Sequence, residues 1–264
     1  MDLRIKGKKA LVSGSTAGIG WAIADLLAGE GVHVWVNGRT QERVDAAVKQ
    51  ITQHRVGAKV KGIAADLGTA AGCAKAASDV PEVDILVNNL GIFEPMEFEK
   101  ISDEKWLKFF EVNVLSGVRL SRFYFPKMLK ANWGRIVFIS SESAVNIPAE
   151  MIHYGMTKTA QIAVARGLAE LSAGTNVTVN TVLAGPTRSE GVEVFLNNLA
   201  AAKQTNISAL EKEFFASVRP SSLLKRFEKP EEVAAMVAYV CGEPASATNG
   251  AALRADGGVV RSVL

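Results

Sequence analysis

The chain has 264 residues, of which 48% are apolar and 22% charged, with a net charge of +3; this is an ordinary globular composition with enough apolar residues for a sizeable core. The small, dispersed basic excess gives no footing for nucleic-acid or membrane-surface binding. No stretch has the roughly 18 uninterrupted apolar residues of a membrane span, the polar-basic opening Met1–Lys9 reads as no secretory signal, and two cysteines supply neither a disulfide framework nor a metal site.

Taken in chain order, short β-branched runs alternate with longer helical patterns. A strand over Ala10–Ser13 leads through a glycine-rich turn into a helix over Ile19–Ala28. A second strand, Val32–Asn37, precedes a helix over Gln41–Gln53, and a third, Ala58–Ala64, precedes a helix over Ala70–Ser78. Val83–Asn88 is the fourth strand. It is followed by a long helical pattern, Asp103–Ala131, which Ser102 can cap and whose first turn carries Asp103 and Glu104. Arg135–Ser140 precedes a helix over Tyr154–Leu171, and Asn176–Val182 precedes the mixed segment 188–227 with its Phe195, Phe214 and Phe215. A helix over Glu231–Cys241, opened by Pro230, and a last strand at Ala251–Arg254 complete the pattern. Most of the strands are nearly continuous apolar runs, as parallel strands covered on both faces require. The expectation is one α/β domain with a doubly wound parallel sheet of about seven strands and helices on both faces. Forty or so residues inserted between a strand and a helix read better as a mobile substrate lid than as a second domain. Cys73 and Cys241 fall in helical contexts and read as buried free thiols of a reducing, cytoplasmic setting.

The first turn reads Gly14-Ser15-Thr16-Ala17-Gly18-Ile19-Gly20. Glycines permit a sharp turn and close backbone approach to a pyrophosphate, while the helix that follows offers free N–H groups and a positive dipole end. Alone, such a cluster is also compatible with a purely structural turn; its place after the first strand of an alternating chain favours a dinucleotide. At the end of the second strand, NAD-preferring sites usually carry an acid for the adenosine 2′-hydroxyl. Here Gly38 stands in that place and Arg39 follows it. A guanidinium pairs with a 2′-phosphate that a carboxylate would repel, so the pattern favours NADP(H), although Arg39 also fits a solvated surface position.

Downstream, Ser141 follows the fifth strand, and Tyr154 and Lys158 are four residues apart on one helix face. An ammonium beside a phenol favours the phenolate, so Lys158 is expected to lower the Tyr154 pKa toward a range useful for proton transfer. Neighbouring His153 points away from Tyr154 and reads as a packing or surface residue.

With these motifs in place, the chain resembles the short-chain dehydrogenase/reductase family over essentially its whole length. The glycine turn at 14–20, Asp66-Leu67, Asn88-Asn89-Leu90-Gly91, Asn113, Ser141, Tyr154, Lys158, Asn180 and Asp256-Gly257-Gly258 fall in the family's order and spacing. The resemblance implies a Rossmann-like fold and an enzyme that reduces a carbonyl to an alcohol, or the reverse, with NADP(H). In that division of labour, Tyr154 is the general acid or base and Ser141 orients the substrate oxygen. Lys158 binds the nicotinamide ribose, and Asn113 holds a water of the proton relay. Asp66 and Leu67 lie by the adenine, and Asn89, Leu90 and Gly91 lie along the adenosine ribose and diphosphate. Gly185, Thr187 and Ser189 flank the nicotinamide, with Ser189 standing for a carboxamide-binding threonine. Two departures from the family pattern are Leu90, where alanine is usual and which narrows the ribose side, and Ala184 in place of the usual proline.

Similarity to 3-oxoacyl-carrier-protein reductases is one specialisation of this reading, but steroid, sugar and ketone reductases share the motifs. Other readings are an NAD-linked alcohol dehydrogenase, a non-catalytic NADP-binding sensor or scaffold, and an epimerase or dehydratase with tightly held cofactor. The expected substrate is a small to medium, largely apolar carbonyl compound or alcohol. A homotetramer or homodimer is also implied, joined through helices 103–131 and 154–171, where Phe109, Phe110, Leu115 and Leu120 exceed what one sheet face needs.

Overall fold

In the computed structural model, residues 1–263 are described, apart from the side chain of Phe195. Seven strands form one parallel sheet: β1 (Lys9–Val12), β2 (His33–Gly38), β3 (Val60–Ala64), β4 (Ile85–Asn88), β5 (Gly134–Ser141), β6 (Val177–Ala184) and β7 (Ala252–Ala255), in the spatial order β3-β2-β1-β4-β5-β6-β7. The helices are α1 (Gly18–Gly29), α2 (Gln41–His54), α3 (Ala70–Asp79), α4 (Asp103–Phe110), α5 (Ser116–Ala131), α6 (Ile152–Leu171), α7 (Glu190–Ala202), α8 (Ile207–Glu213) and α9 (Pro230–Cys241).

Alternation along the strands divides the interior into two cores. Ala10, Val12, Val34, Val36, Ile85, Val87, Val137 and Ile139 face one core with α1, α2 and α9. Leu11, Leu86, Ile136 and Phe138 face the other with α3, α5 and α6. The inner strands β4, β5 and β6 are therefore buried on both faces, which is why their sequences read as nearly continuous runs, while the edge strands β3 and β7 are partly exposed. The order of strands reverses between β1 and β4, and ligands of open α/β sheets bind in the crevice at the carboxyl ends of strands at such a switch.

One expectation from the sequence is corrected. The single helix over Asp103–Ala131 is broken by a π-helical turn at Glu111–Leu115 between α4 and α5. One extra residue in the turn re-aims the backbone, and Asn113 lies inside it. Segment 188–227 contains α7, α8 and a π-helical turn at Phe214–Val218, closed around Leu196, Ala200, Leu210, Phe215 and Phe227. Ser189 and Asn206 cap its two helices, a signal present in the sequence but masked by the segment's mixed polarity. The side chain of Phe195, read from the sequence together with Phe214 and Phe215, lies outside the described residues.

Phe109 and Leu120 are buried in the monomer, so they do not add to an outer face as the sequence suggested. Leu107 and Phe110 on α4 and Leu171 at the end of α6 are the exposed large apolar residues there. Cys73 and Cys241 are buried free thiols, as expected. No helix among the described residues is long and apolar enough to cross a membrane, and they include no cluster of metal-ligating side chains.

Candidate active site

β1 ends on a turn in which Gly14 and Gly18 have φ of +60° and +57°, a region only glycine enters cheaply. Buried side chains fix this turn to its neighbours. The Asn89 and Leu90 N–H groups donate to Ser13 Oγ, and Asn89 Nδ2 donates to the carbonyls of Ser13 and Gly14. Asn37 completes the frame by accepting from Gly14 N–H and donating to the carbonyls of Ile63 and Ala65. Its role was not read from the sequence; a buried Asn within a β-branched strand was the available signal. Ser15 is turned inward, donating to the Val12 carbonyl and accepting from Asn37 N–H, so its hydroxyl braces the turn.

Whether these residues fit a dinucleotide is tested by the helix that follows. α1 begins at Ala17 with no side-chain cap, whereas α2, α3, α4, α7 and α8 are capped by Thr40, Thr69, Ser102, Ser189 and Asn206. Its first N–H groups are thus left for a ligand, and the dipole favours an anion. The cradle is tight, since a Cβ at Gly20 would lie 2.5 Å from Asn89 Nδ2 and from the Gly14 carbonyl oxygen. A side chain at Gly38 would likewise meet Thr16 Cγ2 at 2.5 Å, so the glycine leaves no room for an acid there. Arg39 is exposed and has no ion-pair partner among the described residues.

A cavity of about 490 Å³ opens at the carboxyl edge of the sheet. Nine of the expected residues line it: Ile19, Asn89, Gly91, Ser141, Tyr154, Lys158, Gly185, Thr187 and Ser189. Thr16 and Gly18 line a second hollow beside it. Asp66 is exposed just after β3, with its carboxylate accepting from Gly68 N–H, while Leu67 is buried in the core. Leu90 packs against Gly14 and the core beneath, outside the cavity lining. Ser189 Oγ accepts from Val192 N–H as the cap of α7, and a Cβ on Gly18 would lie 3.2 Å from Ser189 Cβ, so α7 begins directly over the glycine turn. Arg43 of α2 pairs with Glu190 of α7 at 2.8 Å across the same line.

At the floor, Ser141 Oγ accepts from Ser143 N–H, which leaves its own proton available to a ligand oxygen. Lys158 is buried and donates to the Ile139 carbonyl at 2.9 Å and to Gln161 Oε1 at 3.3 Å, with Nζ 5.6 Å from the centre of the Tyr154 ring. Burial pushes the Tyr154 phenol up to about 12 against the pull of Ser141, and burial alone pushes Lys158 down to about 8. This departs from the expectation that Lys158 lowers the Tyr154 pKa. Loss of water disfavours both ions, and the ammonium is turned toward Ile139 and Gln161. The resident species near neutral pH are therefore a protonated phenol and an ammonium.

The Asn113 side chain ties Ile92 to α6, with Oδ1 accepting from Ile92 N–H and Nδ2 donating to the Ile92 carbonyl and to Thr157 Oγ1. Its carbonyl accepts from Gln161 Nε2 at 2.6 Å. Gln161 thus joins Asn113 to Lys158 through one amide, and nothing in the spacing of the motif marks it out. His153 is fully buried against Phe109, with ring centres 4.1 Å apart, and takes the packing role.

Comparison with known proteins agrees with this geometry. Residues 8–200 match the short chain dehydrogenase family. Over the full length of both chains, the protein is 50% identical to the uncharacterized oxidoreductase YvaG of Bacillus subtilis. It is 33% identical to the 3-oxoacyl-[acyl-carrier-protein] reductase FabG of Aquifex aeolicus, over 98% of this chain and all of that one. Among solved structures, L-sorbose reductase from Gluconobacter frateurii, complexed with NADPH and L-sorbose, superposes with a TM-score of 0.93 at 29% identity over the whole of both chains.

Proposed function

The chain belongs to the short-chain dehydrogenase family, and on that premise we propose that it is an NADP(H)-dependent oxidoreductase interconverting a carbonyl and an alcohol. The observation that carries this reading is the meeting of Ser141, Tyr154 and Lys158 at the floor of one cavity, beside a helix start left uncapped. NADPH, when bound, supplies the hydride, and its oxidised form supplies a positive charge near the phenol. The Ser141 hydroxyl donates to the carbonyl oxygen and fixes it before Tyr154. The Tyr154 proton passes to that oxygen as the alcohol forms, and in the reverse direction the phenolate takes it back. Lys158 holds the ribose hydroxyls, and its position is set by Ile139 and Gln161. Asn113 acts one step removed, by fixing the Ile92 loop, Thr157 and Gln161.

Arg39 is the proposed ligand of the 2′-phosphate, since the carboxylate that would favour NAD is sterically shut out at Gly38. The NADPH of the sorbose reductase complex supports the same preference. A charge-assisted contact contributes about 1.5–3 kcal/mol, on the order of 10- to 100-fold in affinity. Fluorescence titration is expected to give NADPH at least about tenfold tighter than NADH, with Arg39→Gln removing the difference. Equal affinities in the unsubstituted protein would refute the assignment of Arg39 and leave the proton chemistry standing.

We place the enzyme in a reducing cytoplasm on its two buried free thiols. We read it as a homodimer or homotetramer joined through α4, α5 and α6, on the exposed Leu107, Phe110 and Leu171. Light scattering at micromolar concentration tests the assembly, and a monomer would overturn it.

A further inference from the structure

The substrate cavity has a charged wall that the proton-transfer groups do not use. Glu142, the residue after Ser141, and Arg219, at the end of the lid, both line it and are both buried, 3% and 6% exposed. Arg219 Nε donates to Glu142 Oε1 at 2.8 Å, and its Nη1 donates to Glu150 Oε1 at 3.2 Å and to the Val218 carbonyl. Glu142 Oε2 has no partner in good hydrogen-bond geometry, with the Ser143 hydroxyl the polar group beside the carboxylate. An orphaned oxygen on a buried carboxylate is costly, and in a ligand cavity such a group is ordinarily completed by the ligand.

The pattern of charge restricts what that ligand can be. Arg219 is already held by two carboxylates, and the other cation on the lid side, Lys203, is paired with Glu213 at 3.0 Å. Lys158 is turned to Ile139 and Gln161. Each cation of the cavity wall already has an oxygen partner, and Glu142 and Glu150 would repel a substrate carboxylate or phosphate. A hydroxyl suits the wall: it can donate to Glu142 Oε2 while remaining neutral. Because Glu142 adjoins Ser141, that hydroxyl would sit close to the carbonyl oxygen held by Ser141 and Tyr154. The rest of the wall is apolar, with Ile92, Phe93, Met151 and Leu196.

We propose that the Glu142–Arg219 pair is a specificity subsite for a neutral substrate bearing a hydroxyl next to the reacting carbonyl. This rests on the carbonyl-reductase reading above and narrows its substrate class to α-hydroxy carbonyl compounds. The hydroxyl donates to the buried carboxylate, and Arg219 holds that carboxylate in place.

The test measures NADPH-dependent reduction of four probes that share a phenyl ketone body: α-hydroxyacetophenone, α-methoxyacetophenone, propiophenone and phenylglyoxylate. The hydroxy and methoxy ketones have similar electronic activation, but only the first can donate a hydrogen bond. The unsubstituted enzyme is expected to favour the hydroxy ketone over the methoxy ketone and propiophenone by at least about tenfold in kcat/KM, the effect of one charge-assisted bond, with phenylglyoxylate poorest. Glu142→Gln should bring the hydroxy-to-methoxy ratio near one, chiefly by lowering kcat/KM for the hydroxy ketone. Comparable rates with the hydroxy and methoxy ketones in the unsubstituted enzyme, or fast reduction of phenylglyoxylate, would overturn the subsite while leaving the reductase reading intact. A folded Glu142→Gln enzyme with the ratio unchanged would also overturn it. Should that variant fail to fold, the unsubstituted enzyme's ratio decides by itself. Reduction of none of the four, with NADPH or NADH, would fail the reductase reading and the subsite with it.

Discussion

Replacing Tyr154 with Phe should lower turnover by about a hundred- to ten-thousand-fold, the usual contribution of a positioned general acid, and leave NADPH affinity close to unchanged. The ring survives in the variant, so its edge contact with Phe93, at 6.4 Å between centres, and the backbone bond from Thr157 Oγ1 are kept. Only the hydroxyl beside Ser141 is lost. A pH profile adds a second check with a definite sign. Lys158, pushed down to about 8, carries its charge below that pH and loses it as pH rises through it, whereas Tyr154, pushed up to about 12, stays protonated across the range. The kcat/KM for carbonyl reduction should therefore fall on the alkaline side of about 8 in the unsubstituted enzyme. Undiminished turnover by a clean Tyr154→Phe preparation would remove Tyr154 from the mechanism.

A methyl group at Gly20 should be nearly as damaging, but to binding instead of chemistry. The added Cβ would lie 2.5 Å from both Asn89 Nδ2 and the Gly14 carbonyl oxygen and 2.9 Å from Ser15 Cα. Two of these three atoms are backbone, so the turn itself must shift. Overpacking of this kind costs about 1–3 kcal/mol, which as lost affinity is on the order of 10- to 100-fold. Titration of Gly20→Ala with NADPH, run beside thermal melting, separates the two effects. Weaker binding with only a small fall in Tm is the expected result; unchanged affinity would mean that the glycine turn is not the cofactor cradle.

Much of this protein was legible in its sequence because the controlling interactions are local or periodic. Apolar runs separated by helical patterns determine a parallel sheet covered on both sides, and Tyr154 and Lys158 share a helix face by spacing alone. The glycine turn announces a close backbone approach.

Only the tertiary structure decided the remainder, and the reasons lie in burial and in contacts between distant segments. The sign of the Tyr154 and Lys158 shifts depends on how much water the fold removes, which a spacing of four residues does not encode. Asn113 is expected from the motif, but its bonds to Ile92, Thr157 and Gln161 exist only because a π-helical turn interrupts the helix there. Ser15 turns inward because Asn37, on the neighbouring strand, needs its oxygen. Glu142 and Arg219 are 77 residues apart and ordinary in sequence. They become a charged wall of the cavity because segment 188–227 folds its end back onto the strand that carries Ser141.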